Sequence, residues 1–177
     1  MPKTILFKYY QSKFGELIIG SFEGKLCLCD WRHRKMRTNI DLRIQRYFGA
    51  QYIENNTEII DKTIFQLEEY GNGLRTNFDV ELSLAGTDFQ KSVWNELINI
   101  PYGKTESYLG LSRKMGNEKA IRAVATANGA NAISIIIPCH RVIGTNGSLV
   151  GYAGGLAAKQ KLLSLENKIN EQQLSLF

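Results

Sequence analysis

Proline, cysteine and histidine are scarce in this chain: three, three and two in 177. Three thiols, an odd number without framework spacing, exclude a disulfide-stapled miniprotein and leave Cys27, Cys29 and Cys139 as free thiols. Long apolar runs are missing too. No segment approaches the roughly 20 residues of a spanning helix, and "MPKTILFKYY" has neither an apolar signal region nor a small-residue cleavage site, so a cytoplasmic protein with no membrane partner is expected. Cys27, Cys29 and His33 make no convincing tetrahedral set and have no evident fourth ligand, so no metal is expected, and the alternating Cys27 and Cys29 read as a packed strand face. Internal repeats and low-complexity segments are also absent.

What is present is an ordinary globular composition, 44% hydrophobic, with a net charge of +5. The charge is unevenly placed: residues 1–86 carry twelve Lys/Arg against eleven Asp/Glu, residues 87–177 ten against six. An anionic partner for the second half is compatible with that excess, although on charge alone a solvated basic face is the favoured reading. The cluster "WRHRKMR" reads as the solvated end of a strand, because no aromatic platform or Gly loop frames it.

The first thirty residues, "TILFKYYQS", "FGELIIGSF" and "KLCLCDW", are β-branched and aromatic with Gly-containing turns between them, which predicts an antiparallel meander. Helical periodicity follows at 38–48 and 61–70, then a strand at "FDVELSL". Thr87 and Gln90 stand in capping-box spacing ahead of Phe89, Val93, Trp94, Leu97 and Ile98, placed on one helix face. A short helix in "SYLGLSRKMG" stops at Gly116, and Asn117 can cap the next, "EKAIRAVATANG". Two such helices around a tight turn fit a helix-turn-helix, a pattern that is weak by itself. "AISIII" reads as a strand, "IGTNGSLVGYAGG" as hairpin-like, and "LAAKQKLLSLEN" as a helix with Leu156, Leu162, Leu163 and Leu165 available for burial. The tail "NKINEQQLSLF" either extends that helix or frays.

The chemistry concentrates at "IPCHRVIG". An apolar strand ending in Pro138 would deliver Cys139 to the rim of a core, ordered yet reachable. A lone buried cysteine is usually inert packing; His140 and Arg141 beside it change the reading, because a nearby cation favours the nucleophilic thiolate.

With "NGSLVGYAGG" and "KQKLLSLE" behind it, and "TDFQKSVWNELINIPYGKTESY" and "GNEKAIRAVATANGANAISIII" ahead of it, this motif closely resembles the methylated-DNA–protein-cysteine methyltransferases, also called O6-alkylguanine-DNA alkyltransferases. The resemblance runs continuously from about Thr87 to Glu166 and more loosely through the N-terminal part. It implies an α+β fold of two domains: an N-terminal α/β domain with an antiparallel sheet, residues 1–86, and a mostly helical C-terminal domain with a helix-turn-helix, residues 87–177. It implies irreversible, stoichiometric transfer of an alkyl group from O6-alkylguanine, with O4-alkylthymine as a further candidate, by a monomer acting on double-stranded DNA that contains alkylated guanine, without a cofactor.

The roles it implies fall on named residues. Cys139 would accept the alkyl group, with His140 linked through water to the thiol and to Glu166 in the following helix, which would polarise the imidazole. Asn131 would organise the turn that carries the cysteine, and Tyr108 would donate to the departing base. The backbone at Cys139 and Val142 would recognise the exocyclic amine, while Tyr152 and Ala153 would close the pocket. Arg122 would replace the extruded base in the duplex, and Ala123, Ala125, Ala127 and Asn128, with Ala120, would let the helix lie close to DNA; Ile121 and Thr126 are bulkier than such a surface favours. A lesion-binding relative without transfer, and a thiol hydrolase or redox sensor, are the alternatives; the first lacks an acceptor cysteine, and the second would not depend on Arg122.

Overall fold

The computed structural model describes the backbone of residues 1–174 and the side chains of residues 1–167. Strands β1 (Lys3–Ser12), β2 (Gly15–Phe22) and β3 (Lys25–Trp31) form the expected antiparallel meander. Beyond it, β4 (Ala50–Glu54) lies parallel to β1, so the sheet is mixed, in the order β3-β2-β1-β4. Its five residues "AQYIE" bury only Ala50, too little alternation to announce a strand. Helix α1 (Arg37–Phe48) buries Ile40 and Ile44, and α2 (Glu58–Gly71) starts at Thr57, whose hydroxyl accepts from the Ile60 N–H. "FDVELSL" is not a strand. It touches the sheet at one bridge, Leu26 to Leu82, between hydrogen bonds to Glu81 and Ser83.

Helix α3 (Asp88–Ile98) opens on the Thr87/Gln90 capping box and buries Val93, Trp94 and Leu97. Phe89 and Ile98, expected on that face, are exposed. After β5 (Glu106–Ser107) comes α4 (Tyr108–Lys114); Gly116, at φ +78°, reverses the chain. Asn117 then caps a 3-10 turn that leads into α5 (Ile121–Gly129).

"AISIII" is the largest departure from expectation. Instead of a strand it forms a closed loop on the edge of β3: Cys29 N–H donates to Ala132, Ser134 N–H to Cys29, and Ile137 N–H folds back to Ile133. Ile135 takes φ +71°, a left-handed conformation that costs a β-branched residue on the order of 1–3 kcal/mol and ends any ladder. The next strand, β6 (Val142–Ile143), pairs in parallel with β5. The glycine-rich segment closes a tight turn between Gly144 and Ser148 and continues as a loop, not a hairpin. Helix α6 (Leu156–Leu174) extends through most of the tail; it buries Ala158, Leu162 and Leu163 and leaves Leu156 exposed, and residues 175–177 lie outside the described residues. One apolar cluster joins sheet to helices, from Leu17, Ile19 and Trp31 through Tyr70 to Trp94, Val124 and Cys139. Each fully buried Leu or Ile in it contributes about 1.5–3 kcal/mol.

Candidate active site around Cys139

Cys139 begins a 3-10 turn, Cys139–Arg141, and is nearly buried at 4% exposure. Asn131 shapes the loop before it. Its amide donates to the Ile137 carbonyl at 2.9 Å, and its oxygen accepts from the Ile133 N–H at 2.9 Å. The thiol borders a cleft of about 1020 Å³ lined by Tyr108, Ala125, Asn128, Asn131, Tyr152 and Ala153, with Arg34 and Met36 facing them from the connection between β3 and α1. Gly154 keeps the loop side of this cleft in place, since any side chain there would overlap the Trp31 ring packed beneath it.

Behind the cysteine lies a buried ionic group. Glu166, on α6, accepts from His140 Nε2 at 2.9 Å, from Tyr70 Oη at 2.7 Å, from Arg141 Nε and Nη2 at 3.0 and 2.9 Å, and from the Gly103 N–H at 3.3 Å. Burial opposes the charge on Glu166, but the hydrogen bonds of His140 and Arg141 and the positive charge of Arg141 outweigh it and hold the carboxyl at about 2. Burial conversely draws His140 below its usual value despite the Glu166 contact. The ring is therefore neutral near pH 7; its Nε2 carries the proton given to Glu166, and its Nδ1 is bare. That Nδ1 is buried and has no hydrogen-bond partner among the described residues.

Burial pushes the Cys139 thiol up, against the Asn131 hydrogen bond and the charges of Arg34 and Lys159, which draw it down. The sequence neighbour Arg141 is not the cation that acts on the sulfur. Its guanidinium is committed to Glu166 and to the Ile100 carbonyl at 2.6 Å. Burial, reinforced by the Cys139 charge, keeps the Tyr108 phenol protonated and so a donor; Asn128 Nδ2 approaches it at 3.5 Å.

The structure thus brings Cys139, His140, Glu166, Asn131, Tyr108, Tyr152 and Ala153 together. Val142 is fully buried, its carbonyl accepts from Lys159 Nζ at 2.6 Å, and its side chain does not line the cleft. On α5, Arg122 and Ala123 are exposed and Ala125 faces the cleft, whereas Ala127 is in the core, its carbonyl accepting from Trp94 Nε1 at 2.8 Å, and Asn128 is turned inward. Helical rotation explains the split: residues 124, 127 and 128 share the core face. Cys27 and Cys29 are both buried, in separate apolar clusters, and His33 pairs with Glu16.

Three contributors escaped the sequence reading. Lys159 is fully buried on the α6 face that carries Leu162, Leu163 and Glu166, and that spacing is a signal the sequence contains. Tyr70 lay hidden in the apolar stripe of α2. The third is a pair of arginines: Arg34 of the "WRHRKMR" cluster, which is not simply a solvated strand end, and Arg43 on α1. Arg34 spans from Asp30 (3.1 Å) to the carbonyls of Gly129 (2.6 Å) and Asn131 (3.2 Å), Arg43 reaches the Ala130 carbonyl at 2.8 Å, and Ser134 Oγ donates to Asp30 at 3.2 Å. These arginines grip the end of α5 and the start of the cysteine loop, where carbonyls lack helical partners.

No helix among the described residues is long and apolar enough to cross a membrane. A family model described as the DNA-binding domain of 6-O-methylguanine DNA methyltransferase matches residues 88–168. A methylated-DNA–protein-cysteine methyltransferase of Methanosarcina acetivorans is 41% identical over 160 residues, covering 90% of this chain and 97% of the relative. One of Mycobacterium bovis is 53% identical over 146 residues, covering 82% and 88%. The crystal structure of Mycobacterium tuberculosis OGT in complex with DNA superposes with a TM-score of 0.79 at 38% identity, over 93% of this chain and 94% of that one. With a relative this similar over nearly its whole length, and a cleft-lining thiol backed by a buried imidazole–carboxylate pair, the chain belongs to the methylated-DNA–protein-cysteine methyltransferase family.

Proposed function

We propose that this protein repairs duplex DNA by moving the alkyl group of O6-alkylguanine irreversibly to Cys139, one group per molecule. The observation that carries the reading is the placement of the Cys139 sulfur at a cleft of about 1020 Å³, with a neutral imidazole bonded to an ionised carboxylate in the adjoining turn. The cleft has room for a purine turned out of the duplex, and flipping costs least where the lesion has already weakened pairing.

In the step proposed, His140 Nδ1 receives the thiol proton through an intervening water, and Glu166 stabilises the resulting imidazolium. The sulfur lone pair forms the S–C bond as the C–O6 bond breaks, the bonding electrons pass to the guanine, and Tyr108 donates as that charge develops. The second lone pairs of the Cys139 and Val142 carbonyls supply acceptors for the exocyclic amine. Water does not hydrolyse the thioether product, so the molecule is spent.

The division at residue 86/87, the helix-turn-helix formed by α4 and α5, and action as a cytoplasmic monomer belong to the same reading. The start of the family-model match at residue 88 supports the first, and the Gly116–Asn117 turn between the two helices the second. Arg122, exposed on α5 beside Ala123, is the residue proposed to fill the stack. Cys139→Ala should bind duplex normally and take up no label from a methylguanine oligonucleotide; residual transfer would refute the assignment. Arg122→Ala should slow repair of duplex while sparing reaction with the free base, and equal losses would count against flipping.

A further inference from the structure

We infer that Tyr70 is a positioning residue of the reaction, which restrains the basicity of His140 through the carboxylate oxygen they share. The inference rests on the proposed role of His140 as the base for Cys139.

The geometry is specific. Glu166 Oε1 accepts from Tyr70 Oη at 2.7 Å, His140 Nε2 at 2.9 Å and Arg141 Nη2 at 2.9 Å. With Arg141 Nε a longer fourth contact at 3.3 Å, an oxygen with two good lone-pair directions serves donors from three side chains, so each competes with the others for the same electron density. Tyr70 comes from α2, almost a hundred positions away in sequence, is fully buried, and makes the shortest of the three contacts. Its phenol remains a donor, because burial and the neighbouring Glu166 charge both oppose its ionisation. The other groups acting on His140 are Arg141 in its own turn, Glu166 and Lys159 on α6, and Cys139 just before it; Tyr102 borders Arg141 and Tyr70. Lys159 already spends its ammonium on the carbonyls of Val142 and Val150, and Arg141 is anchored to Ile100. Tyr70 is thus the neutral donor whose hydroxyl can be removed without disturbing any of these charges.

The sign follows. Removing the hydroxyl returns electron density to Glu166, which stabilises the imidazolium form of His140 and raises the pH at which the ring becomes neutral. Transfer needs the neutral ring, so the acid limb of the pH–rate profile moves to higher pH. The plateau above it is not lowered, because a stronger base accepts the thiol proton at least as readily.

The test uses Tyr70→Phe in the full chain, with two readouts. Only His33 and His140 occur in the sequence, so NMR of labelled imidazole carbons follows each separately, with His33, paired to Glu16 at the surface, as internal control. The expected result is an upward shift of the His140 titration alone. With it should come a single-turnover rate on methylguanine duplex lowered about fivefold at a pH on the acid limb, the population effect of one ordinary hydrogen bond, with the plateau unchanged. An unmoved His140 titration, or a plateau lost without movement of the limb, would overturn the inference and make Tyr70 a packing residue. If His140 shifts and the acid limb does not, Tyr70 does tune the ring, and the base role of His140 is what fails. Should Tyr70→Phe not fold, replacement of Tyr70 by 3-fluorotyrosine carries the opposite sign: a more acidic phenol donates more strongly and lowers the His140 titration, and absence of that shift would overturn the inference equally.

Discussion

A neutral imidazole that gives its only proton to an ionised carboxylate can accept another at one atom alone, and that defines what His140 can do beside Cys139. Burial keeps the sulfur protonated at rest, so the thiolate has to be produced during the reaction and is not stored. His140→Gln should therefore lower the single-turnover rate on methylated duplex by about 10²-fold or more, with affinity for unmodified duplex unchanged in a binding titration. Glu166 makes a separate prediction about stability. Its carboxyl is lowered from 4.5 to about 2, so its stabilising contribution is complete above about pH 4.5 and is lost as pH falls through about 2. That contribution is on the order of 3 kcal/mol, and Glu166→Gln should flatten the acid side of a stability-against-pH curve measured by urea unfolding. The cysteine and the histidine were legible through the motif around Pro138, and the carboxylate only through the family resemblance that extends to Glu166. Their electrostatics were not: Arg141, adjacent in sequence, turns to Glu166, and the positive charges that draw the thiol down come from positions 34 and 159.

At the level of elements, legibility followed periodicity. The meander, α1, α2 and the capped start of α3 rest on local alternation, helical spacing and caps, and they lie close to where those signals put them. The segment "AISIII" defeats the same logic, because its strand-like composition is overruled by the Asn131 side chain and the backbone of Cys29, contacts that no local pattern encodes. The short edge strand β4 and the outward turn of Phe89 have the same origin in tertiary packing. The Asp30–Arg34 pair is the element-scale device that ties β3 to the end of α5. Arg34→Ala leaves the fully buried Asp30 with one fewer cation and frees the carbonyls of Gly129 and Asn131. A loss of about 3 kcal/mol in folding stability is expected by chemical denaturation, with slower transfer because the cysteine loop is held less firmly. Arg34→Lys, which cannot span two carbonyls and a carboxylate in one plane, should recover only part of both.

For the whole molecule, the larger of two apolar clusters joins sheet and helices and includes Cys139 itself, so the reactive turn is packed into the core beneath it. The binding surface is a different matter. Ten of the Lys/Arg residues against six Asp/Glu lie in residues 87–177, and a basic face that tracks phosphates makes affinity depend steeply on salt. For roughly four phosphate contacts, raising salt from about 50 to about 200 mM should weaken duplex binding by about 100-fold, measured by fluorescence anisotropy. The rate of transfer from bound duplex should change little over the same range, since the Glu166 group is buried beyond the reach of screening.

The most direct test of the account is intact-protein mass spectrometry during titration with a methylguanine duplex. The account predicts a shift of one methyl group that saturates at one lesion per protein molecule and maps to the peptide carrying Cys139. A titration that continues past one equivalent, or a methyl group found on Cys27 or Cys29, would contradict it.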